Sequence, residues 1–331
     1  MNDNEKYIYI IMFLLGALAM AMFALRVTQS PQQDLPQSQW EFQSIDTMKY
    51  SRDLAREKLK DTNYAASIDK QIERIAATGA THVAIGTPYD EEFKPILKLW
   101  VASARSHGLN VWFRGNWSGW ERWFDYEKIG RDEHITKTKQ FILENPDLFE
   151  DGDAFSSCPE CENGSSTQFG DPNQVRDYRV FLINEYTVTK AAFAEINKDV
   201  KSNYFSMNAD VAKAVMNPET TAALDGLVVI DHYVRTPEQL ARDVVFISEM
   251  SQGDIVLGEI GVPIPDIHGN MTEDEQRIWM EEAFTLLAPL PQLKGINYWT
   301  HMGGSTELWT GKGEPKEHLK PLTAIYGGMS K

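Results

Sequence analysis

The stretch Asp254-Ile-Val-Leu-Gly-Glu-Ile-Gly-Val-Pro263 decides how this chain is read. A short apolar run around a glycine has the composition of an interior strand in a parallel sheet, buried on both faces. The run ends in a carboxylate, Glu259. Barrel enzymes carry their chemistry at the C-terminal ends of such strands.

Working outward, seven more strand candidates share the chain: Trp40–Ile45, Thr81–Gly86, Gly108–Phe113, Ala154–Ser157, Ser202–Ser206, Gly226–Ile230 and Gly295–Trp299. Helical patterns fill the intervals, at Tyr64–Ala77, Phe93–His107, Ile135–Glu144, Gln174–Lys198, Val211–Asn217, Pro237–Met250 and Glu273–Leu287. Strict alternation of the two predicts a parallel α/β sheet, and right-handed crossovers close eight such units into a (β/α)8 TIM barrel. The length of 331 residues, 42% of them hydrophobic, accommodates one barrel of roughly 250 residues and an appendage.

That appendage lies at the front. Residues 1–6 are polar, and residues 7–25 (YIYIIMFLLGALAMAMFAL) carry no charge. Such a segment spans roughly 28 Å as a helix, close to the hydrocarbon thickness of a bilayer. It is longer than the core of a cleaved signal peptide, and no Ala-x-Ala site follows it. The expectation is an uncleaved transmembrane signal anchor, with secretion as the alternative if it is removed. Residues 26–39, rich in Gln, Pro and Ser, read as a flexible tether. Residues 40–331 then form the barrel, expected on the extracytoplasmic side of the membrane. The formal charge of −16 argues against a nucleic-acid partner, which needs a basic surface. Oligomeric state is not legible in the sequence.

A second strand-end acid, Glu160, stands in Cys158-Pro-Glu-Cys-Glu-Asn163. Two carboxyls facing one cleft, one protonated and one ionised, are what hydrolysis of a glycosidic bond requires. Glu259 is then the nucleophile and Glu160 the acid/base. Glu162 is the alternative acid/base, since residues two apart in extended chain point the same way. Cys158 and Cys161 are the chain's two cysteines. Without a second ligand pair for zinc, they read as a small disulfide stiffening this loop. Trp117, one of four tryptophans between residues 112 and 123, and Trp299 at the last strand end are candidates to stack on sugar rings. Arg114, Asn116, Asn208, His232 and Tyr233 follow other strands and are candidate substrate contacts, while Asp46, Lys49, Asp210 and His301 would ring the same face. No cofactor is called for. Two rival readings are a carbohydrate-binding barrel without chemistry and a metal-dependent hydrolase or deacetylase using Asp231, His232 and His301.

On these positions the chain resembles glycoside hydrolases of the clan A type, with acids at the ends of strands four and seven. Glu160, Glu259 in Gly258-Glu-Ile-Gly261, Trp299, the His232-Tyr233 pair and Arg114 carry the likeness, over about residues 40–325. The resemblance implies a retaining double displacement through a glycosyl-enzyme, with the carboxyls about 5 Å apart. One position departs from the pattern. Pro159 stands where the clan usually has Asn before the acid/base, and the nearest amide in sequence is Asn163.

Overall fold

The computed structural model describes residues 40–327. The expected anchor (7–25) and tether (26–39) lie outside them. Among the described residues no helix is long and apolar enough to cross a membrane.

Eight strands form one parallel sheet: β1 (Phe42–Asp46), β2 (His82–Ile85), β3 (Asn110–Phe113), β4 (Ala154–Phe155), β5 (Ser206–Asn208), β6 (Leu227–Asp231), β7 (Asp254–Ile260) and β8 (Leu293–Tyr298). Their order is β4-β3-β2-β1-β8-β7-β6-β5. The two ends of that series meet, because Ala154 bridges Lys201 in parallel just ahead of β5. Beyond β4, the Glu160 N–H bonds the Ser206 carbonyl at 2.8 Å. The curled sheet is thus closed, as a (β/α)8 barrel requires.

The helices that follow the strands are α1 (Tyr64–Ala77), α2 (Lys94–Ser106), α3 (Arg131–Glu144), α4 (Pro172–Glu195), α5 (Ala209–Val215), α6 (Pro237–Ser251), α7 (Glu273–Leu287) and α8 (Leu319–Ile325). Local chemistry sets their starts. Asp171 and Thr236 accept from the first turns of α4 and α6, and Thr272 with Glu275 forms a capping box on α7. In α1, Tyr64, Ile68, Ile72 and Ile75 recur at helical spacing and are all buried.

One strand expectation is corrected. The segment 202–205 is not β-strand, and β5 begins only at Ser206. Tyr204 turns into the barrel instead, joining Phe42, Ala84, Trp112, Ala154, Val229 and Val256 in one buried cluster. Trp112 meets Phe42 edge-on at 5.4 Å and Tyr204 at 5.8 Å. Side chains two residues further along a strand share the same face. Above Trp112 therefore stands Arg114, and above Val229 stands Asp231. This apolar layer is the floor on which the polar end of the barrel rests.

Truncating the floor at Trp112→Ala is expected to cost about 3–5 kcal/mol. Urea unfolding should show a lower midpoint with an unchanged m-value; an unaltered midpoint would contradict this placement.

Candidate active site

Arg114 is the hub of the barrel mouth. It is fully buried, with its guanidinium carbon 5.1 Å from the Trp112 ring centre. Nη1 lies 2.7 Å from Glu259 Oε1 and 3.1 Å from Asp46 Oδ2. Nη2 donates to Asp231 Oδ2 at 2.8 Å and to Ser206 Oγ at 3.2 Å. A planar fork of donors suits several carboxylates at once, where a lysine would act as one point charge. The Tyr233 hydroxyl donates to Glu259 Oε2 at 2.7 Å. Burial first, and then the Glu259 charge, push the Tyr233 phenol well above its usual range, so it remains a neutral donor. Glu259 thus has the Arg114 guanidinium at one oxygen and the Tyr233 hydroxyl at the other.

A backbone irregularity turns Glu259 toward the mouth. Ile230 pairs with Leu257 but Asp231 pairs with Glu259, so β7 carries one extra residue against β6. Against β8, Leu257 pairs with Ile296 and Ile260 with Tyr298, again one residue in excess on β7. Such a bulge re-aims a side chain that strict alternation would send to the other face. The extra residue can be Gly258 because there is no room for more. A Cβ there would lie 2.5 Å from Asp231 Oδ1 and 3.0 Å from Ser206 Cβ.

Glu160 faces this group from the loop after β4. One oxygen each of Glu160, Asp231 and Glu259 lie within 4.8 Å of one another. Burial, and next the Glu259 charge, push Glu160 up to about 7, against the pull of Arg114. Its φ is +43°, the left-handed region that a glutamate seldom occupies. The Cys158–Cys161 bridge encloses it, and the Ser206 carbonyl holds its N–H. Glu162 turns aside to the Asn208 backbone N–H at 2.8 Å and the Asn208 amide at 3.1 Å. Of the two loop acids, Glu160 is the one beside Glu259. The Asn208 amide also lies 3.4 Å from Glu160 Oε1, and Asn163 Nδ2 is 3.4 Å from Oε2.

Several expected substrate contacts are placed elsewhere. Arg114 lies beneath the carboxylates rather than at the opening, because a guanidinium with three anionic partners is spent on them. Asn116 is fully buried, bonded to the His134 ring and the Cys158 sulfur. Trp117 packs against Tyr89 and Phe141 and donates to Thr138 Oγ1 at 3.0 Å, away from the acids. His232 points to Asp243 on α6 at 2.8 Å. Trp299 remains half-buried at the end of β8, with the Lys49 ammonium 5.7 Å from its ring centre.

The metal set of the rival reading, Asp231, His232 and His301, is not assembled. His301 is buried against Gln71 and the Asp46 carbonyl, and burial pushes its ring down to about 3. Among the described residues, the group that could share a cation is Glu160, Asp231 and Glu259. There the Arg114 guanidinium already supplies the positive charge, bonded to two of the three.

Sequence reading passed over Ser206, Asn297 and Glu121. Asn297 is buried and donates to the Gly258 carbonyl at 2.8 Å, steadying the bulge. Glu121, half-buried and close enough to feel Glu162, is pushed up to about 7 by burial. Only the inward position of Asn297 in its strand could have singled it out; Glu121 ends a one-turn helix, Ser118–Glu121, that carries no such signal.

No protein-family model matches the chain, and no curated protein matches it in sequence. Solved structures are similar in fold. A GH5_18 protein of Bifidobacterium longum subsp. longum, in complex with Manb1-4GlcNAc, is 13% identical with a TM-score of 0.61, over 87% of this chain and 78% of that one. The beta-glycosidase BGL167 is 12% identical at a TM-score of 0.57, over 90% of this chain and 99% of its own. A beta-D-glucuronidase of Dictyoglomus thermophilum is 15% identical at 0.56, over 89% of this chain and 51% of that one. The chain therefore has the (β/α)8 fold of these glycosidases.

The raised carboxyls make stability depend on pH. Burial also pushes Asp46 up to about 6. Each such group binds its proton more tightly folded than unfolded. Its contribution is complete below the ordinary carboxylate range and is lost as pH rises through the folded value. Glu160→Gln cannot ionise, so its Tm relative to wild type should rise between about pH 5 and about pH 8. A difference constant across that window would show that Glu160 is not held in its acid form.

Proposed function

We propose that the barrel is a retaining glycoside hydrolase acting on an oligo- or polysaccharide, with Glu259 as nucleophile and Glu160 as acid/base. The observation that carries this reading is the pair itself. Two carboxyls approach within 4.8 Å, one raised to about 7 and the other paired with Arg114 and accepting from Tyr233. Retaining enzymes hold their carboxyls about 5–5.5 Å apart, whereas inverting ones leave room for a water between them.

In the first step a Glu259 oxygen attacks the anomeric carbon as Glu160 gives its proton to the departing glycosidic oxygen. With Glu259 then an ester and Glu160 a carboxylate, Glu160 takes a proton from water, whose oxygen displaces Glu259. Arg114 and Tyr233 hold the Glu259 carboxylate in place throughout. Trp299 offers a half-buried ring for sugar stacking, and Asn208 brings to the acid side the amide that Pro159 cannot supply.

In the same reading residues 7–25 anchor the protein in a membrane with the barrel outside. The Cys158–Cys161 bridge supports that side, since disulfides persist in oxidising compartments.

Assayed on aryl glycosides, Glu259→Gln should lower kcat by on the order of 10⁴-fold. The wild-type rate should fall on the alkaline side through about pH 7, as Glu160 loses its proton. A chelator should leave the rate unchanged. A loss of only a few-fold in Glu259→Gln, or inactivation by the chelator, would overturn the proposal.

A further inference from the structure

The loop that carries Glu160 is gripped at both cysteines by one buried cluster that takes no part in the chemistry above. Asn116 Nδ2 lies 3.5 Å from Cys158 Sγ. Trp120 Nε1 donates to the Cys161 carbonyl at 3.0 Å. Both contacts converge on His134 of α3. Its Nε2 is 2.9 Å from Asn116 Oδ1, and its ring meets Trp120 edge-on at 4.9 Å. Beyond Trp120 the loop fits without clearance, for a Cβ on Gly164 would lie 2.3 Å from the indole. The Lys128 ammonium ties the Trp120 and Gly164 carbonyls together.

Behind His134 stands Glu185 of α4, bonded to Nδ1. Both side chains are fully buried. Asn116 Oδ1 also accepts the Trp117 N–H at 2.7 Å, so the amide oxygen is the face turned to the ring. Nε2 must therefore carry hydrogen, and the proton between Nδ1 and Glu185 fixes the ring's orientation from the other side. The Glu185 carboxyl, whose Oε2 has no partner, is a costly group to bury for packing alone.

We infer that the Glu185–His134 pair is a positioning unit for the acid/base, acting through Asn116 and Trp120 on the Cys158–Cys161 loop. It holds Glu160 in its left-handed conformation opposite Glu259 and touches no part of the nucleophile's surroundings. The inference rests on the glycosidase reading, and it makes a claim that reading does not. Disturbing His134 should damage proton transfer while sparing nucleophilic attack.

Leaving groups separate the two. A dinitrophenolate departs without protonation, whereas a sugar or alkyl alcohol needs the acid. In His134→Gln and Glu185→Gln, kcat/KM on a dinitrophenyl glycoside should stay within about 3-fold of wild type, while on an unactivated glycoside it falls by ~10-fold or more, part of the roughly 10²–10⁴-fold that general acid catalysis supplies. Azide, which attacks the glycosyl-enzyme without a base, should restore the kcat lost on the activated substrate. Trp120→Phe keeps an aromatic ring but removes the donor to Cys161 together with the pyrrole part of the indole. It should show the same selectivity in smaller measure, and it serves if the buried-pair variants do not fold.

Glu160→Ala is the reference. If it shows the leaving-group selectivity and azide rescue while folded His134→Gln and Trp120→Phe lose both substrates equally or neither, the positioning role is refuted and the glycosidase stands. A wild type that turns over neither substrate overturns both.

Discussion

A buried guanidinium holds this barrel mouth together. Arg114 stands on the indole of Trp112 and reaches Asp46 from β1, Asp231 from β6 and Glu259 from β7. Removing a charge from water costs several kcal/mol unless partners surround it, and here the partners are three acids that would otherwise repel one another. The cost runs both ways. Without the cation the burial that already pushes Asp46 and Asp231 up would act unopposed, and without the acids the cation could not be buried.

Other features follow from that demand. Gly258 leaves the space that Asp231 fills, and the bulge it sits in brings Glu259 into reach of the fork. Asn297 secures the bulge from β8. Opposite this fixed assembly lies a loop acid with a different environment. Glu160 is partly enclosed beside Glu259, and burial raises it to about 7. Two carboxyls thus have different surroundings, one paired with Arg114 and bonded by Tyr233 and the other desolvated, the difference on which the proposed division into acid and nucleophile rests.

Much of this was legible in the sequence. Tyr64–Ala77 and Glu273–Leu287 form helices with the bounds that periodicity predicts, because apolar spacing and capping residues are local signals. Glu259 and Glu160 were singled out as candidates because strand ends are where a barrel opens. The supporting residues were harder, since their role depends on which neighbours the closed sheet brings together. Arg114 and Asp231 are 117 positions apart. Sequence shows that both follow strands, not that one lies under the other's cleft. Trp117 and Asn116 read as sugar contacts because loop aromatics and amides look alike from sequence, whether they face a cleft or a helix. The fifth strand was misplaced by four residues because Tyr204 belongs to the barrel interior without belonging to the strand. The bulge in β7 left no sequence signal beyond the glycine itself.

The most direct test is to trap the nucleophile. A 2-deoxy-2-fluoro glycoside with an activated leaving group, built on the sugar that the protein turns over, slows the second step and leaves the enzyme esterified. Mass spectrometry of the digested protein should find one added glycosyl group, on Glu259. A glycosyl group on any other residue, or none from a preparation that hydrolyses the parent sugar, would contradict the account.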